Sequence, residues 1–207
     1  MAGAPQIPAP DEPRSPRVRG ARLRGSILQR AAELASIDGL DQVSIARLAA
    51  EMQMSKSGLY AYFTSKQDLQ LATIECAWRV FEEHVLEPGD DALAAMLERW
   101  ISYYEREVFP GGCLFITAGT EFANRDGPVR EALARAIERQ VVALERAITA
   151  GADGAADANL SQHAFELHAV LTAGNQRYRI SRDAAAFAHA RAAVGRLLPD
   201  GDLEPAA

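Results

Sequence analysis

The sequence predicts an all-α protein, because apolar residues recur at helical spacing along most of its 207 residues and no alternating strand pattern of useful length occurs. The segment 22–38 illustrates this, with five apolar residues on one helical face: Ile27, Leu28, Ala31, Leu34 and Ala35. Serines placed for N-capping and breaks at Gly and Pro bound the helices. We expect about nine helices, at 22–38, 45–51, 56–62, 66–85, 90–107, 113–123, 128–150, 158–181 and 183–197.

The composition is that of an ordinary globular protein, with 48% apolar and 24% charged residues. No run approaches the roughly 18 to 20 apolar residues of a membrane span. The first sixteen residues hold five prolines and lack the apolar core of a signal peptide. We therefore expect a cytoplasmic protein with a flexible N-terminal arm at 1–21 and a C-terminal tail at 199–207.

The net charge of −6 is unevenly distributed along the chain. Residues 1–70 carry 9 Lys and Arg against 7 Asp and Glu, whereas residues 71–207 carry 13 against 21. A mildly basic N-terminal part and an acidic remainder indicate that only the first part meets a polyanion.

Two cysteines, Cys76 and Cys113, are too few for a disulfide framework and lack metal-ligand spacing. We interpret both as small core residues in a reducing compartment. The alternative is that one of them senses oxidants.

Short helices at 45–51 and 56–62, joined by a tight turn at 52–54, predict a helix-turn-helix unit. Ser44, Ser55 and Ser65 are positioned to cap the helices that follow them. The helix that begins after Ser65 is predicted to be much longer than the two before it. It would be roughly 30 Å long at about 1.5 Å per residue.

The second short helix has two dissimilar faces. At 100° per residue, Leu59 and Phe63 lie together, which predicts an anchor to the core. The opposite side is predicted to be exposed, with Tyr62 at its margin, and it carries small residues and a tyrosine: Ser57, Gly58, Tyr60 and Ala61.

Such a face suits the major groove of double-stranded DNA, where small side chains let a helix approach base edges and hydroxyls bind phosphates. Lys56 and Lys66 flank this helix with positive charge. The alternative interpretation is that Tyr60 and Tyr62 are half-buried packing residues and that the lysines are merely solvated.

The stretch "RGSILQRAAELASIDGLDQVSIARLAAEMQMSKSGLYAYFTSKQDL" at 24–69 resembles the N-terminal domain of the TetR family of bacterial transcriptional regulators. The segment "FPGGCLFITAGTEFANRDGPVREAL" at 109–133 is similar to a segment of one subgroup of that family. The resemblance covers about 22–81 and implies a three-helix DNA-binding head, followed at 82–198 by a helical ligand-binding and dimerisation body.

The resemblance also implies roles for individual residues. Ser44 and Arg47 would reach phosphates, and Tyr60, Tyr62 and Lys66 would clamp the DNA backbone. Four residues would lie toward the bases: Lys56, Ser57, Gly58 and Ala61. Where the family usually has His, this chain has Tyr62, which cannot become cationic near neutral pH.

The turn also departs from the family, because Gln53 stands where Gly is usual. If the turn needs a positive φ there, Gln53 bears a strain of order 1 kcal/mol. Further upstream, we expect Arg22 and Arg24 to be better candidates for phosphate contacts than the arginines of the arm.

The body carries aromatic and polar residues suited to an apolar pocket with a few polar groups. The candidates are Trp78, Phe81, Trp100, Tyr104, Phe115, Phe122, His168 and Tyr178, with Glu121 as a further polar group. Any one of these residues, taken alone, is more often part of the core than of a pocket. Together they predict a small hydrophobic effector of unknown identity, with no further cofactor.

Neither a metal site nor a catalytic site is predicted. His163, Glu166 and His168 have spacings that do not place both histidines on one helical face. No constellation of nucleophile, base and orienting group is recognisable. A helical enzyme is therefore the least favoured alternative.

The apolar residues of the last two helices, 158–197, exceed what a monomer would leave exposed, which predicts a homodimer. A two-fold dimer would present two recognition helices to a near-palindromic operator. The sequence thus predicts a ligand-responsive, homodimeric repressor, in which the break at 110–112 lets the neighbouring helix shift. The alternative is a redox-responsive regulator acting through Cys76 or Cys113.

Overall fold

The computed structural model describes residues 16–87, 92–151 and 159–198, and within these ranges all regular structure is helical. Nine α-helices follow one another in this part of the chain: α1 Pro16–Asp38, α2 Ile45–Glu51, α3 Lys56–Tyr60, α4 Lys66–Phe81, α5 Leu93–Glu105, α6 Leu114–Phe122, α7 Pro128–Gly151, α8 Leu160–Ser181 and α9 Ala185–Leu197. A 3-10 turn, Leu40–Gln42, joins α1 to α2. The predicted all-α class is confirmed.

The head consists of α1, α2 and α3. Serine caps fix the two short helices, since Ser44 Oγ accepts from the Arg47 N–H at 3.2 Å and Ser55 Oγ accepts from the Gly58 N–H at 3.0 Å. These caps satisfy backbone donors that have no partner inside a helix. Leu48 of α2 is fully buried with the core residues of α1 and α3.

Helix α4 runs from the head into the body. Ser65 Oγ accepts from the Asp68 N–H at 3.0 Å and so begins it. Its 16 residues span about 24 Å at about 1.5 Å per residue. The sequence predicted a helix to 85, but α4 ends at Phe81 and continues as a π-helical turn, Glu82–Leu86.

The body consists of α5 to α9 together with the second half of α4. Helix α7 packs against α4, α6 and α8, and α8 pairs with α9. Arg182 turns the chain between α8 and α9 with a φ of 56°.

The segment 110–112 is packed closely against the head. A Cβ on Gly111 would lie 1.8 Å from the Ser36 carbonyl oxygen, so this turn packs directly on the backbone of α1. The Gly111 N–H also donates to Ser36 Oγ at 2.9 Å. The turn is therefore a close contact between head and body, and a shift of the neighbouring helix at this break stays a prediction.

The predicted N-terminal arm is too long. Helix α1 begins at Pro16, so residues 16–21 are helical where a flexible segment was expected. Residues 1–15 and the predicted tail at 199–207 lie outside the described residues. The helix predicted at 56–62 ends earlier, at Tyr60, and Ala61 and Tyr62 form the turn after it.

Candidate DNA-binding surface and effector site

The two faces of α3 are separated as the sequence predicted. Leu59 of α3 and Phe63, three residues after its end, are fully buried, which fixes the rotation of the helix against the head. The opposite side is exposed, and 55% of Tyr60 is accessible. The exposed residues around α3 are Lys56, Ser57, Tyr60 and Ala61, with Gly58 and Tyr62 half-buried at the margins.

The first turn of α3 is tightly closed. Ser55 Oγ and Ser57 Oγ lie 3.0 Å apart, and a Cβ on Gly58 would lie 3.2 Å from Ser55 Oγ. A larger residue at position 58 would push against the capping serine. The small residues therefore keep the surface flat where DNA would approach.

The turn before α3 contains the strained residue that the sequence indicated. Gln53 has a φ of 53°, in the left-handed region. Its N–H donates to the Ala50 carbonyl at 3.2 Å, and the Met54 N–H donates to the Ala49 carbonyl at 2.8 Å. The turn thus requires a positive φ, at a cost of order 1 kcal/mol for a side chain such as glutamine.

Arg47 and Ser44 have partners within the head. The Arg47 guanidinium pairs with the Asp38 carboxylate. Ser44 Oγ is used as a cap acceptor, which leaves its O–H as a donor. Because the ion pair is partly exposed, it is worth at most about 1 kcal/mol and can be exchanged for a phosphate contact.

Lys66 lies at the junction between the two parts. Its Nζ is 2.7 Å from Asp41 Oδ1, and Arg125 Nη1 of the body is 3.2 Å from Asp41 Oδ2. The hydrogen bond from Lys66 lowers the pKa of the Asp41 carboxyl, and the bond from Arg125 adds to this against the opposing effect of desolvation. Asp41 thus holds one cation from the head and one from the body.

One sequence signal of this surface was missed. Lys56 and Lys66 are the only two lysines among the 207 residues, and all other basic side chains except the histidines are arginines. Both lysines are exposed and border α3. The distribution of lysine along the sequence would have pointed to this surface.

A second contact between head and body was also missed. The Asp41 N–H donates to both carboxylate oxygens of Glu121, at 3.1 and 3.2 Å. A Cβ on Gly39, whose φ is 94°, would lie 2.9 Å from the same carboxylate. Glu121 was expected among the pocket residues, but it binds the 3-10 turn of the head instead.

Most of the predicted pocket residues form one aromatic cluster in the body. Phe81 is its centre, with ring centroids 5.5 Å from Trp78, 4.8 Å from Trp100 and 6.4 Å from Phe115. His168 joins at 6.1 Å from Trp100. Tyr104 joins through its hydroxyl, which accepts from Trp100 Nε1 at 2.7 Å.

Phe122 and Tyr178 do not belong to this cluster. The Arg125 guanidinium stacks on Phe122 at 4.6 Å, beside the head. Tyr178 packs on Phe187 with ring centroids 4.7 Å apart, and its hydroxyl donates to Glu107 at 3.2 Å. Both residues nevertheless pack in or against the same hydrophobic core as the cluster, and their place among the pocket residues stays a prediction.

Beside the cluster lies a polar residue, Gln140, that was not among the residues predicted from the sequence. Gln140 is 2% exposed, and its Oε1 lies 3.3 Å from His168 Nε2. Its position among the buried apolar residues of α7, between Ala136 and Leu144, is the signal that could have identified it. Burial lowers the pKa of His168, which favours the neutral imidazole.

Two buried donors in the described part of the body have no hydrogen-bond partner: Trp78 Nε1 and Gln140 Nε2. The Gln140 amide approaches the Cys113 sulfur and favours its thiolate form, but it makes no hydrogen bond of normal geometry. Leaving a buried donor unpaired costs about 1–3 kcal/mol. Such donors are rare in folded proteins and call for a partner such as a ligand or a water molecule.

Both cysteines are buried and free. Burial raises the pKa of the Cys113 thiol, against opposing hydrogen bonds from the backbone of Ile116 and Phe115. Burial also raises the pKa of Cys76, against the attraction of nearby arginines. Since the thiolate is the reactive form, both environments lower the reactivity of these cysteines.

Metal-type side-chain clusters and membrane-spanning helices are both absent from the described ranges. No group of three or more His, Cys, Asp or Glu side chains there is arranged to hold a metal ion. None of the helices described has both the length and the apolar character that crossing a membrane requires.

A helix-turn-helix head with an exposed, lysine-flanked second helix, joined to a helical body, defines a DNA-binding transcriptional regulator. Sequence models agree: "Bacterial regulatory proteins, tetR family" matches residues 27–73, and "Tetracyclin repressor-like, C-terminal domain" matches residues 89–194. The chain belongs to the TetR family. No curated protein sequence matches it closely enough to count as a relative.

Solved structures share the fold at low identity. A TetR transcriptional regulator from Chloroflexus aurantiacus is 22% identical, with a TM-score of 0.75 over 84% of this chain and 92% of that one. A TetR-family regulator from Cytophaga hutchinsonii is 20% identical, with a TM-score of 0.74 over 86% and 94%. AibR, solved with isovaleryl coenzyme A and operator DNA, is 24% identical, with a TM-score of 0.67 over 85% and 98%.

Proposed function

We propose that the protein is a homodimeric repressor that leaves its operator when a small hydrophobic effector binds the body. The observation that carries the DNA-binding part is the orientation of α3 and the turn after it, which buries Leu59 and Phe63. The same orientation exposes Lys56, Tyr60 and Ala61. A helix held in this way can enter the major groove, with Lys56, Ser57, Gly58 and Ala61 toward the bases. As a DNA-binding protein it would act in the cytoplasm of a bacterium.

The phosphate contacts would come from the edges of the surface. Ser44 and Arg47 would contribute from the start of α2, and Tyr60, Tyr62 and Lys66 from the segment between α3 and the start of α4. In this structure, Arg47 forms an ion pair with Asp38, and Lys66 forms one with Asp41. Binding to DNA would replace these carboxylates by phosphates.

The dimer would form through α8 and α9. Phe165 is 64% exposed and Ile180 is 80% exposed, so large apolar side chains are accessible near both ends of α8. The exposed side of α9 adds small residues, including Ala188 and Ala192, that permit close helix contact. A two-fold axis there would give two heads that reach half-sites about 34–36 Å apart.

The effector would bind at the aromatic cluster around Phe81. The unpaired donors Trp78 Nε1 and Gln140 Nε2 support this, because a ligand with a hydrogen-bond acceptor would remove their desolvation cost. We therefore propose an effector that is largely apolar and carries an acceptor such as a carbonyl oxygen. AibR, which has this fold, was solved with both an acyl coenzyme A and operator DNA.

The signal would travel along α4 and α6. Lys66 and Trp78 stand on the same helix, about 18 Å apart along the axis at about 1.5 Å per residue. On α6, Phe115 belongs to the aromatic cluster while Glu121 holds the head at Asp41. An effector that displaces these helices would change the separation of the two heads, and DNA would weaken effector binding by the same factor.

The test is fluorescence anisotropy of the purified chain on the DNA upstream of its own gene, over a salt series and a panel of small hydrophobic compounds. We expect binding that weakens with salt and one compound that releases it. Tyr60→Phe, which removes only a hydroxyl, should lose about 1 kcal/mol of binding, and Arg135→Gln on α7 should lose none. Failure of the wild type to bind at any salt would refute the proposal.

The environment of the cysteines does not favour the redox alternative, because both thiols are buried and have raised pKa values. We expect peroxide to leave operator binding unchanged in the wild type. A peroxide response that disappears in Cys113→Ser or in Cys76→Ser would restore the redox alternative. We propose no catalytic activity.

A further inference from the structure

Several hydrogen-bond donors converge on one weak acceptor at the start of α6. Serine oxygens cap α2, α3 and α4, whereas Cys113 precedes α6 and makes no side-chain cap hydrogen bond. Burial raises the pKa of the Cys113 thiol, and the donors that act against this are the N–H groups of Ile116 and Phe115, the Tyr104 hydroxyl and the Gln140 amide. A thiol sulfur is a weak acceptor. This end of α6 therefore has more donor capacity than the protein uses.

The unpaired polar atoms beside this end of α6 are donors only. Gln140 Nε2 and Trp78 Nε1 are the two buried side-chain atoms of the described ranges that have no hydrogen-bond partner. The Gln140 amide approaches Cys113, and the Trp78 ring lies 6.3 Å from the Phe115 ring. The other polar atom of Gln140, Oε1, already lies 3.3 Å from His168 Nε2. A ligand must therefore bring acceptors here, because a donor on the ligand would itself stay unpaired.

The electrostatic surroundings favour a negative charge at this position. The N-terminal end of an α-helix carries a partial positive charge and binds anions. Arg139 adds a full positive charge, since its guanidinium carbon lies 4.5 Å from the centroid of the Trp78 ring. Its ion pair with Glu75 spans 3.6 Å between exposed side chains, so another anion can replace this carboxylate at little cost. No Asp or Glu is buried among the described residues.

The same donors adjoin the aromatic cluster. The Phe81 ring lies 6.4 Å from Phe115, in the first turn of α6, and 5.5 Å from Trp78. Both phenylalanines are buried. A molecule that reaches the donors therefore meets aromatic side chains, and an apolar tail on that molecule gains free energy by leaving water.

We infer that the effector is an amphipathic carboxylic acid, whose ionised carboxylate binds at the start of α6 between Gln140 Nε2 and Trp78 Nε1, with Arg139 at the rim. The inference rests on the proposed function, which places the effector at the aromatic cluster, and it adds the charge of the ligand. Arg139 is then the residue that selects acids over neutral compounds. The other end of α6 holds the head, because Glu121 accepts from the Asp41 N–H, so the carboxylate would bind the helix that reaches the head.

The first test is calorimetry of the purified protein near neutral pH with compounds that share a tail and differ in the head group. One set is octanoate, methyl octanoate and octanol, and the other is phenylacetate with its methyl ester and its alcohol. At least one of these two carboxylates should bind at least about tenfold more tightly than its ester, because hydrogen bonds to a charged acceptor are the stronger ones. Acetate, which has the head group without the tail, should bind much more weakly.

Three results would overturn the inference. They are an ester or alcohol that binds as tightly as its acid, failure of both carboxylates to bind, and acetate binding as tight as that of the longer acids, which would show an adventitious anion site only. None of these measurements contains DNA. A neutral compound that releases the operator would therefore sink the inference and leave the proposed function intact, whereas failure of the wild type to bind DNA would refute the proposed function without altering the calorimetry.

The second test locates the carboxylate by changing the charge at its rim. Arg139→Gln should weaken binding of the acid about fivefold and leave binding of the ester unchanged, and Arg139→Glu should weaken the acid further. Arg135→Gln, one turn earlier on α7 and also exposed beside a glutamate, is the matched control and should bind both compounds as the wild type does. Thermal melting should show all three variants to be folded, because the altered side chains are exposed. Equal acid affinity in the wild type and both Arg139 variants would place the carboxylate elsewhere and overturn the inference.

Discussion

The backbone N–H of Asp41 in the head donates to both carboxylate oxygens of Glu121 in the body, at 3.1 and 3.2 Å. Glu121 lies near the C-terminal end of α6, and Phe115 near the start of the same helix belongs to the aromatic cluster. One rigid helix therefore contacts both the candidate effector site and the turn that leads to α2. This arrangement makes Glu121 the natural residue at which to separate signalling from DNA binding.

Glu121→Ala should weaken the coupling between effector and operator while leaving intrinsic operator affinity nearly unchanged. It removes the acceptor of the Asp41 N–H, so the free energy of unfolding should fall by about 1–2 kcal/mol. The readout is the ratio of operator Kd values with and without effector, with Glu131→Ala on the exposed side of α7 as the control. A ratio equal to that of the wild type would show that the signal takes another route.

Asp41→Asn should tighten operator binding at low salt. The substitution removes a carboxylate that competes with phosphate for Lys66, but it keeps the backbone N–H that binds Glu121. Lys66→Ala should weaken binding, and the double variant should resemble Lys66→Ala alone. If the double variant bound the operator more tightly than Lys66→Ala alone, the effect of Asp41→Asn would not act through Lys66.

The Asp41 pair also makes stability depend on pH. Because Lys66 lowers the folded pKa of this carboxyl, the pair stabilises the fold above the unfolded value near 3.9. The contribution is lost as pH falls through the lower folded pKa. In thermal melts between neutral pH and about pH 3, the wild type should lose stability more steeply than Asp41→Asn at the acidic end.

His168 should make the body less stable in mildly acidic solution. Burial lowers its folded pKa, so the unfolded chain binds a proton first as pH falls below about 6.5. Stability therefore declines from that value down to the folded pKa, where the slope vanishes. His168→Gln should flatten this part of the denaturation profile, whereas His189→Gln, at an exposed position, should not; equal slopes in all three proteins would disprove the assignment.

The head was predictable from sequence because its signals are local. Serine caps, a residue in the position of a turn glycine and the alternation of buried and exposed residues on α3 each act over a few residues. These signals predicted the bounds of α2, and they placed Leu59 on the buried side of α3 and Tyr60 on the exposed side. The start of α1 was missed since the segment 16–26 has glycines and arginines but no apolar period, and a helix there receives little support from the core.

The body was less predictable because its site depends on how distant helices pack. Aromatic composition indicated Trp78, Phe81 and Trp100, but it could not distinguish them from Phe122 or Tyr178, which make their ring contacts outside the aromatic cluster. Glu121 was assigned to the wrong place, since its partner is a backbone N–H 80 residues away in the sequence. A polar residue on an apolar stripe, as at Gln140, is the local signal that deserves more weight.

Gln53→Gly should relieve strain in the turn between α2 and α3. Its φ of 53° costs a non-glycine residue about 1 kcal/mol, although glycine also gains entropy in the unfolded chain. We expect the unfolding free energy of the head to rise by up to about 1 kcal/mol, measured by denaturant titration. Gln67→Gly, at an exposed position in the first turn of α4, is the control and should destabilise.

Trp78→Phe and Gln140→Leu should each raise the stability of the ligand-free protein and weaken effector binding. Both remove an unpaired buried donor, which relieves about 1–3 kcal/mol of desolvation cost. Part of this gain is offset in Gln140→Leu by loss of the Oε1 atom that lies 3.3 Å from His168 Nε2, and in Trp78→Phe by the smaller ring. The same change removes the hydrogen bond that an acceptor on the effector would receive. Denaturant titration and effector calorimetry test the two effects together, with operator affinity as the control that should not change. If a variant is more stable than the wild type but binds the effector as tightly, these donors face water molecules and not the ligand. Only a contact with the ligand would make the same substitution change both stability and effector affinity.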